Sequence, residues 1–193
     1  MSRAIRLLGL SGSIRRDSTN TAILRSLSER LRSSASLILF PLDDVPPYNG
    51  DLEGELLPRS VRELKDALAR SDGIVLCSPE YNHGMSGVLK NALDWASRPS
   101  FASPLINKPA LIMASSPAYT GGARAHAQMR ETLAAALARV VARPQVAIAG
   151  VMHKVVDGKL VDEGTFNFCL EAIDDLLAEI RRQSRLEPVD DFR

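Results

Sequence analysis

The sequence predicts an α/β fold: a three-layer sandwich in which a five-stranded parallel sheet is covered by helices on both faces. Three observations lead there. Short apolar runs of strand length alternate with apolar positions at helical spacing, the pattern of a parallel sheet flanked by helices. At 193 residues, 45% of them hydrophobic and 24% charged, the chain suits one domain with a substantial core. The first apolar run also stops in a hydroxyl-rich turn, LSGSIRRDSTN at 10–20, after which a helical period begins. Strand, polar turn and helix together offer backbone N–H groups and a helix N-terminus to an anion.

The elements follow in order. Ile5, Leu7, Leu8 and Leu10 mark a strand over 5–10, and the period opening at Ala22, Ile23 and Leu27 marks a helix over 19–33. Apolar runs place further strands over 37–40, 73–77, 110–114 and 145–151. Helical spacing between and after them gives helices over 60–71, 86–97, 122–141 and 165–182. Residues 40–57 form a long connection with Asp43, Asp44, Pro46, Pro47, Tyr48 and Asn49, and long connections tend to carry function or contacts. The domain is expected to span 1–184, with a polar tail over 185–193.

The first turn is distinctive for what it lacks. A nucleotide P-loop ends in Gly-Lys-Ser/Thr, and no such lysine is present. The dinucleotide fingerprint needs three spaced glycines and a carboxylate about 20 residues on, whereas Gly9 and Gly12 lead only to Arg15. Serine hydroxyls and one arginine suit a terminal phosphomonoester instead. The plainer reading makes Ser18 an ordinary helix N-cap.

Ligands in open α/β sheets sit beyond the carboxyl ends of the strands. After the third strand comes SPEYNHGMSGVLKNALDW (78–95), where Pro79, Gly84 and Gly87 shape the backbone and Ser86 can cap a helix. Tyr81 and Asn82 suit a ligand or simple turn chemistry, and Lys90 with Asp94 suits a surface pair one turn apart. After the fourth strand comes SSPAYTGGARAH (115–126), whose Gly121 and Gly122 let backbone approach a flat ligand or merely form a flexible turn. The three loops would converge on one rim.

Composition narrows the function. Twenty-four basic against 23 acidic residues, without a block of one sign, argue against nucleic acid and anionic membranes. No stretch suits a signal peptide or a membrane span, so a cytoplasmic location is expected. Cys77 and Cys169, far apart within apolar runs, read as buried small hydrophobes, and no metal-ligand spacing is visible.

With GSIRRDSTN (12–20), PPYNGDLE (46–53), SPEYNHGMSGVLKNALDWASRP (78–99) and GGARAHAQMR (121–130), nearly the whole chain resembles the NADPH-dependent FMN reductases of flavodoxin-like fold, in the branch of bacterial quinone and chromate reductases. The resemblance implies strand order 2-1-3-4-5. It implies that Ser11, Ser13, Arg15, Ser18, Asn20 and Thr21 bind the FMN phosphate. Pro79, Glu80, Tyr81, Asn82 and His83 would line the isoalloxazine ring, and Ser115, Ser116, Gly121 and Gly122 would close over its other edge. It further implies a homodimer or homotetramer. His83 departs from the pattern, standing where the quinone and chromate branch often has tyrosine.

The implied activity passes hydride from NADPH or NADH through FMN to small acceptors (quinones, chromate, azo compounds or free flavin) in ping-pong order. The flavin N5 carries that chemistry, so no catalytic side chain is required. His83 is a candidate proton donor to a reduced quinone, against the plainer role of packing or hydrogen bonding. Arg124 and Arg130 suit a cofactor phosphate, an anionic acceptor or a solvated helix face, while His126 and His153 suit surface or interface roles. Two other classes compete: an electron carrier like flavodoxin that needs a protein partner, and a flavin-free binding module on the same scaffold. Balanced charge speaks against the carrier, since flavodoxins are usually strongly acidic.

Overall fold

The computed structural model describes residues 3–31 and 35–186. Along the chain, β1 (Ile5–Ser11) leads to α1 (Thr19–Arg30), β2 (Ala35–Phe40), α2 (Arg59–Arg70), β3 (Gly73–Tyr81) and the two-residue β4 (Gly84–Met85). Then come α3 (Gly87–Ala96), β5 (Pro109–Ser116), α4 (Ala123–Ala135), β6 (Arg139–Val140) and β7 (Val146–Ala149). A small hairpin, β8 (Val155–Val156) and β9 (Lys159–Leu160), precedes the long α5 (Glu163–Leu186). The expected end of the first helix at Ser33 lies outside the described residues. So does the expected tail, apart from Arg185 and Leu186, which close α5.

β2, β1, β3 and β5 lie side by side in parallel, and β6 and β7 occupy the position beyond β5 in tandem. β6 pairs with Pro109 and Ala110 of β5, and β7 with Met113 to Ser116. Counting that pair as one, the order is the expected 2-1-3-4-5, with the fifth strand interrupted. Pro144, which has no N–H to give a ladder, sits in the break. Gly150 then turns the chain out at φ 60°, so the strand expected over 145–151 stops at Ala149.

The helix expected over 122–141 ends at Ala135 instead. Leu137 takes the left-handed conformation (φ 62°), its N–H donates to the Ala134 carbonyl, and the Ala138 N–H donates to that of Leu133. This is the Schellman stop, made here without glycine. Residues 139–140 are thereby released to pair with β5 as β6.

Alternate residues of the strands feed two cores. On one face α1 and α5 bury Ile23, Leu24, Leu27, Ile173 and Leu176 against Leu7, Val75 and Leu111. On the other, α2, α3 and α4 bury Leu64, Leu68, Leu93 and Leu133 against Leu8, Ile74 and Ile112. Both cysteines are free and buried. Burial pushes the Cys77 thiol up, and that of Cys169 up to about 12, so neither is poised to react. The long connection is pinned to α3: the Pro46 carbonyl accepts from Trp95 Nε1 at 2.8 Å and from Asn91 Nδ2 at 2.9 Å.

Candidate active site

The turns after β1, β3, β5 and β7 all emerge at the carboxyl end of the sheet, because the strands run parallel. The first begins at Gly12, whose N–H donates to the Cys77 carbonyl at 2.8 Å. A Cβ there would stand 2.8 Å from Ser86 Oγ and 2.9 Å from Ser78 Oγ, so glycine lets the turn pass close under α3. Ser11 Oγ and Thr21 Oγ1 bond each other at 2.7 Å, and both touch the Ser13 backbone. These two hydroxyls therefore hold the turn in shape. Ser18 is the N-cap of α1, its Oγ accepting from the Thr21 N–H at 3.2 Å. Arg15 is exposed and, among the described residues, reaches only the Asp17 carbonyl, at 3.3 Å.

Asn20 is 3% exposed and turned into the sheet. Its Oδ1 accepts from Cys77 Sγ at 3.2 Å and from Ser115 Oγ at 2.9 Å, tying α1 to β3 and β5. Ser115 is fixed by that bond, and Ser116 Oγ accepts from the Ala118 N–H at 3.1 Å.

β3 runs four residues beyond its expected end, so Ser78 and Pro79 belong to the strand and pair with Ala114 and Ser115. Antiparallel β4 folds back on Glu80 and Tyr81. The two residues between, Asn82 (φ 48°) and His83 (φ 68°), form a turn of type I′ geometry, which usually carries Asn-Gly. Glu80 points the other way, at α4. Its Oε2 accepts from the N–H groups of Arg124 (2.9 Å) and Ala125 (3.2 Å). The helix's own N-cap, Gly122, has no side chain to do so. Arg124 Nη1 lies 2.9 Å from His83 Nδ1. A guanidinium only donates, so Nδ1 accepts and the ring proton sits on Nε2.

Gly121 and Gly122 have φ of 59° and 91°. A Cβ on Gly121 would come within 2.6 Å of the Ala147 backbone, and one on Gly122 within 2.7 Å of Ala114 Cβ. The close approach that demands glycine is thus to β7 and β5.

A cavity of about 130 Å³ joins the turns: Ser13, Arg15, Ser18 and Asn20 from the first, Pro79 and Tyr81 from β3, and Ser115 from β5. Ser11, Thr21 and Ser116 support its walls, while Glu80, His83, Gly121 and Gly122 frame α4 beside it. Val151 and Met152 also line it and were not among the expected residues. They follow the fifth strand, so extending the carboxyl-end rule to that loop would have found them. The donors facing this space, the Ser13 hydroxyl and the Arg15 guanidinium, suit a phosphate. Among the described residues no group of His, Cys, Asp or Glu is arranged to hold a metal, and no helix is long and apolar enough to cross a membrane.

The NADPH-dependent FMN reductase family matches this chain over residues 5–153. An NAD(P)H-dependent FMN reductase of Pseudomonas aeruginosa is 33% identical over 183 residues, covering 94% of this chain and 98% of its own. A quinone reductase of Escherichia coli is 36% identical over 173 residues, covering 86% and 90%. In three dimensions the chain superposes on FerB, a flavoenzyme NAD(P)H:(acceptor) oxidoreductase of Paracoccus denitrificans, with TM-score 0.84 and 30% identity over 93% of this chain and 98% of that one. A flavodoxin-like sheet, three converging turns and these relatives agree: the chain belongs to the NADPH-dependent FMN reductase family and is an oxidoreductase.

Proposed function

We propose that the protein transfers reducing equivalents from NAD(P)H through bound FMN to small acceptors, foremost quinones, and also chromate, azo compounds or free flavin. The observation that carries this is the single cavity to which the turns after β1, β3 and β5 all contribute. The residues fit the cofactor: a cationic, hydroxyl-bearing turn stands at one side and a tyrosine with strand-end backbone at the other. When bound, the flavin supplies the two-electron redox chemistry, with donor and acceptor using one space in turn.

The chain's own residues bind and orient. Ser13, Arg15 and the N-terminus of α1 hold the phosphate, and Ser11 and Thr21 keep the turn in register. Asn20 fixes Ser115, which with Ser116 would close over an edge of the ring. Tyr81 and the Asn82–His83 turn would border the ring, and Gly121 and Gly122, on the segment that the Glu80 clamp ties down, would close over its other edge. A backbone N–H of this segment that reached the ring would stabilise negative charge on it. With Nδ1 accepting from Arg124, His83 would offer its Nε2–H as a hydrogen bond to the oxygen of a quinone being reduced.

The reading extends to a cytoplasmic homodimer or homotetramer. A cleft of about 460 Å³ between α3 and α4 supports self-association, with Phe101 87% exposed and Leu137 beside it. The deciding experiment is spectroscopic and kinetic. The purified protein is expected to carry FMN and to consume NADPH or NADH steadily with a small quinone and no second protein. Turnover only with a protein partner would make it a carrier, and failure to bind FMN would make it a binding module.

A further inference from the structure

We propose that the groove along α1, beside the phosphate turn, seats the 2′-phosphoadenosine end of NADPH, and that Arg16 and Arg25 read its 2′-phosphate. This rests on the oxidoreductase reading above and adds a donor site and a preference between the two nicotinamides.

The groove encloses about 490 Å³, between α1 and the β8–β9 hairpin. It joins the smaller cavity through Arg15, Ser18, Thr19 and Met152, which line both. The groove therefore continues beyond the proposed phosphate site, where Arg16, Arg25 and Asp157 line it and the smaller cavity does not reach. The volume lies within the roughly 300–1,000 Å³ of small-molecule pockets and exceeds what one phosphate needs.

Its chemistry is sorted along its length. Thr19, Ala22 and Arg25 recur every three residues, so they share one face of α1. Arg16 and Arg25 are exposed and, among the described residues, their guanidinium groups donate to no side chain, as is also true of Arg6, Arg30 and Arg70, but Arg16 and Arg25 both line this groove. Two uncommitted guanidiniums on one groove suit a phosphomonoester, and arginine is the residue that distinguishes a 2′-phosphate from a 2′-hydroxyl. Val155 and Met152 offer apolar surface to a purine. The carboxylates of Asp17 and Asp157 also line the groove. They repel a phosphate placed against them but accept from ribose hydroxyls or the adenine amino group, which fixes the polarity of the ligand.

Calorimetric titration of the purified protein with adenosine 2′,5′-bisphosphate and with 5′-AMP tests the site directly. The bisphosphate should bind about tenfold tighter than 5′-AMP, the lower end for a charge-assisted contact because both arginines are solvated. Arg16→Ala and Arg25→Ala should each lose most of that margin, and the ratio of kcat/KM for NADPH over NADH should fall about tenfold. Equal binding of the two ligands, a margin unchanged in both variants, or preferential retention of FAD over FMN overturns the proposal. Flavin content of the same samples separates the two readings. A protein without FMN overturns the proposed function, while the titration still decides the groove.

Discussion

Arg15 in the turn after β1 and Asn20 at the start of α1, five positions apart, face opposite ways. Arg15 is solvated and, among the described residues, engages only a backbone carbonyl, so its guanidinium is available to a ligand. Its contact with phosphate should contribute roughly 1.5–3 kcal/mol. Arg15→Ala is therefore expected to bind FMN about 10- to 100-fold more weakly, to purify pale and to regain activity with added FMN. Unchanged flavin content, measured by absorbance, would remove Arg15 from the site. Asn20 shows the reverse case, a polar residue in the first turn of α1 whose side-chain oxygen belongs to the protein's interior. From sequence the two are indistinguishable members of one polar run, since nothing local says which way a side chain turns.

His126 is 2% exposed, on α4, and its Nδ1 has no partner. Burial lowers its pKa below 6.5, the nearby Arg130 charge adds to this, and hydrogen bonding at the Ile112 backbone opposes it. Between the lowered folded value and about 6.5 the unfolded chain binds the extra proton. Stability is therefore full above about pH 6.5 and falls as the pH drops through that window. His126→Gln should flatten the slope of melting temperature against pH between 7 and 5. A parallel slope in wild type and variant would show that other groups carry it. The sequence suggested a surface or interface role for this histidine; the α4 face that it shares with Met129 and Leu133 is instead the buried one.

At the scale of elements, α4 is defined at both ends by contacts far from it in sequence. Its N-terminus is capped by Glu80 from β3, a residue expected to line a flavin ring. Glu80→Gln keeps an acceptor oxygen and removes the charge, while Glu80→Ala removes both. The alanine variant should lose about 1–2 kcal/mol of stability and the glutamine variant less than half of that, measured by denaturant unfolding. Its C-terminus stops on Leu137 in a conformation that favours glycine. Leu137→Gly should stabilise the protein by about 1 kcal/mol, read as a higher denaturant midpoint at constant slope. A loss of stability there would mean that the leucine side chain packs usefully. Neither end could be read locally: Ala134 to Ala138 carry no glycine or proline, and a cap supplied in trans leaves no spacing signal. The helices whose caps are local, α1 with Ser18 and α3 with Ser86, were legible within a few residues. At Tyr81 and Asn82 the sequence offers a turn only as an alternative, and its type I′ form at Asn82–His83 was not legible, because His83 occupies the position where glycine would have announced it.

At the scale of the molecule, the apolar runs of β1, β3 and β5 fixed the architecture in advance, and parallel strands then force every βα turn to one rim. That is why a list of separate loops became a single cavity. Cofactor binding should accordingly stabilise the whole chain, since the turns it bridges lie on three strands and two helices. At FMN one hundred times its Kd, linkage predicts about 2.7 kcal/mol, or roughly 5–10 °C in Tm for a chain of this size. No shift in a thermal melt with FMN would contradict the bridging.

The interrupted fifth strand has a consequence beyond the site. A sheet's outermost strand is a template on which another molecule's backbone can zip, and polymerise into fibres. Here that margin consists of two stubs of two and four residues, kinked apart at Pro144. A foreign strand finds no unbroken row of amides to copy, so the break itself guards this flank against aggregation.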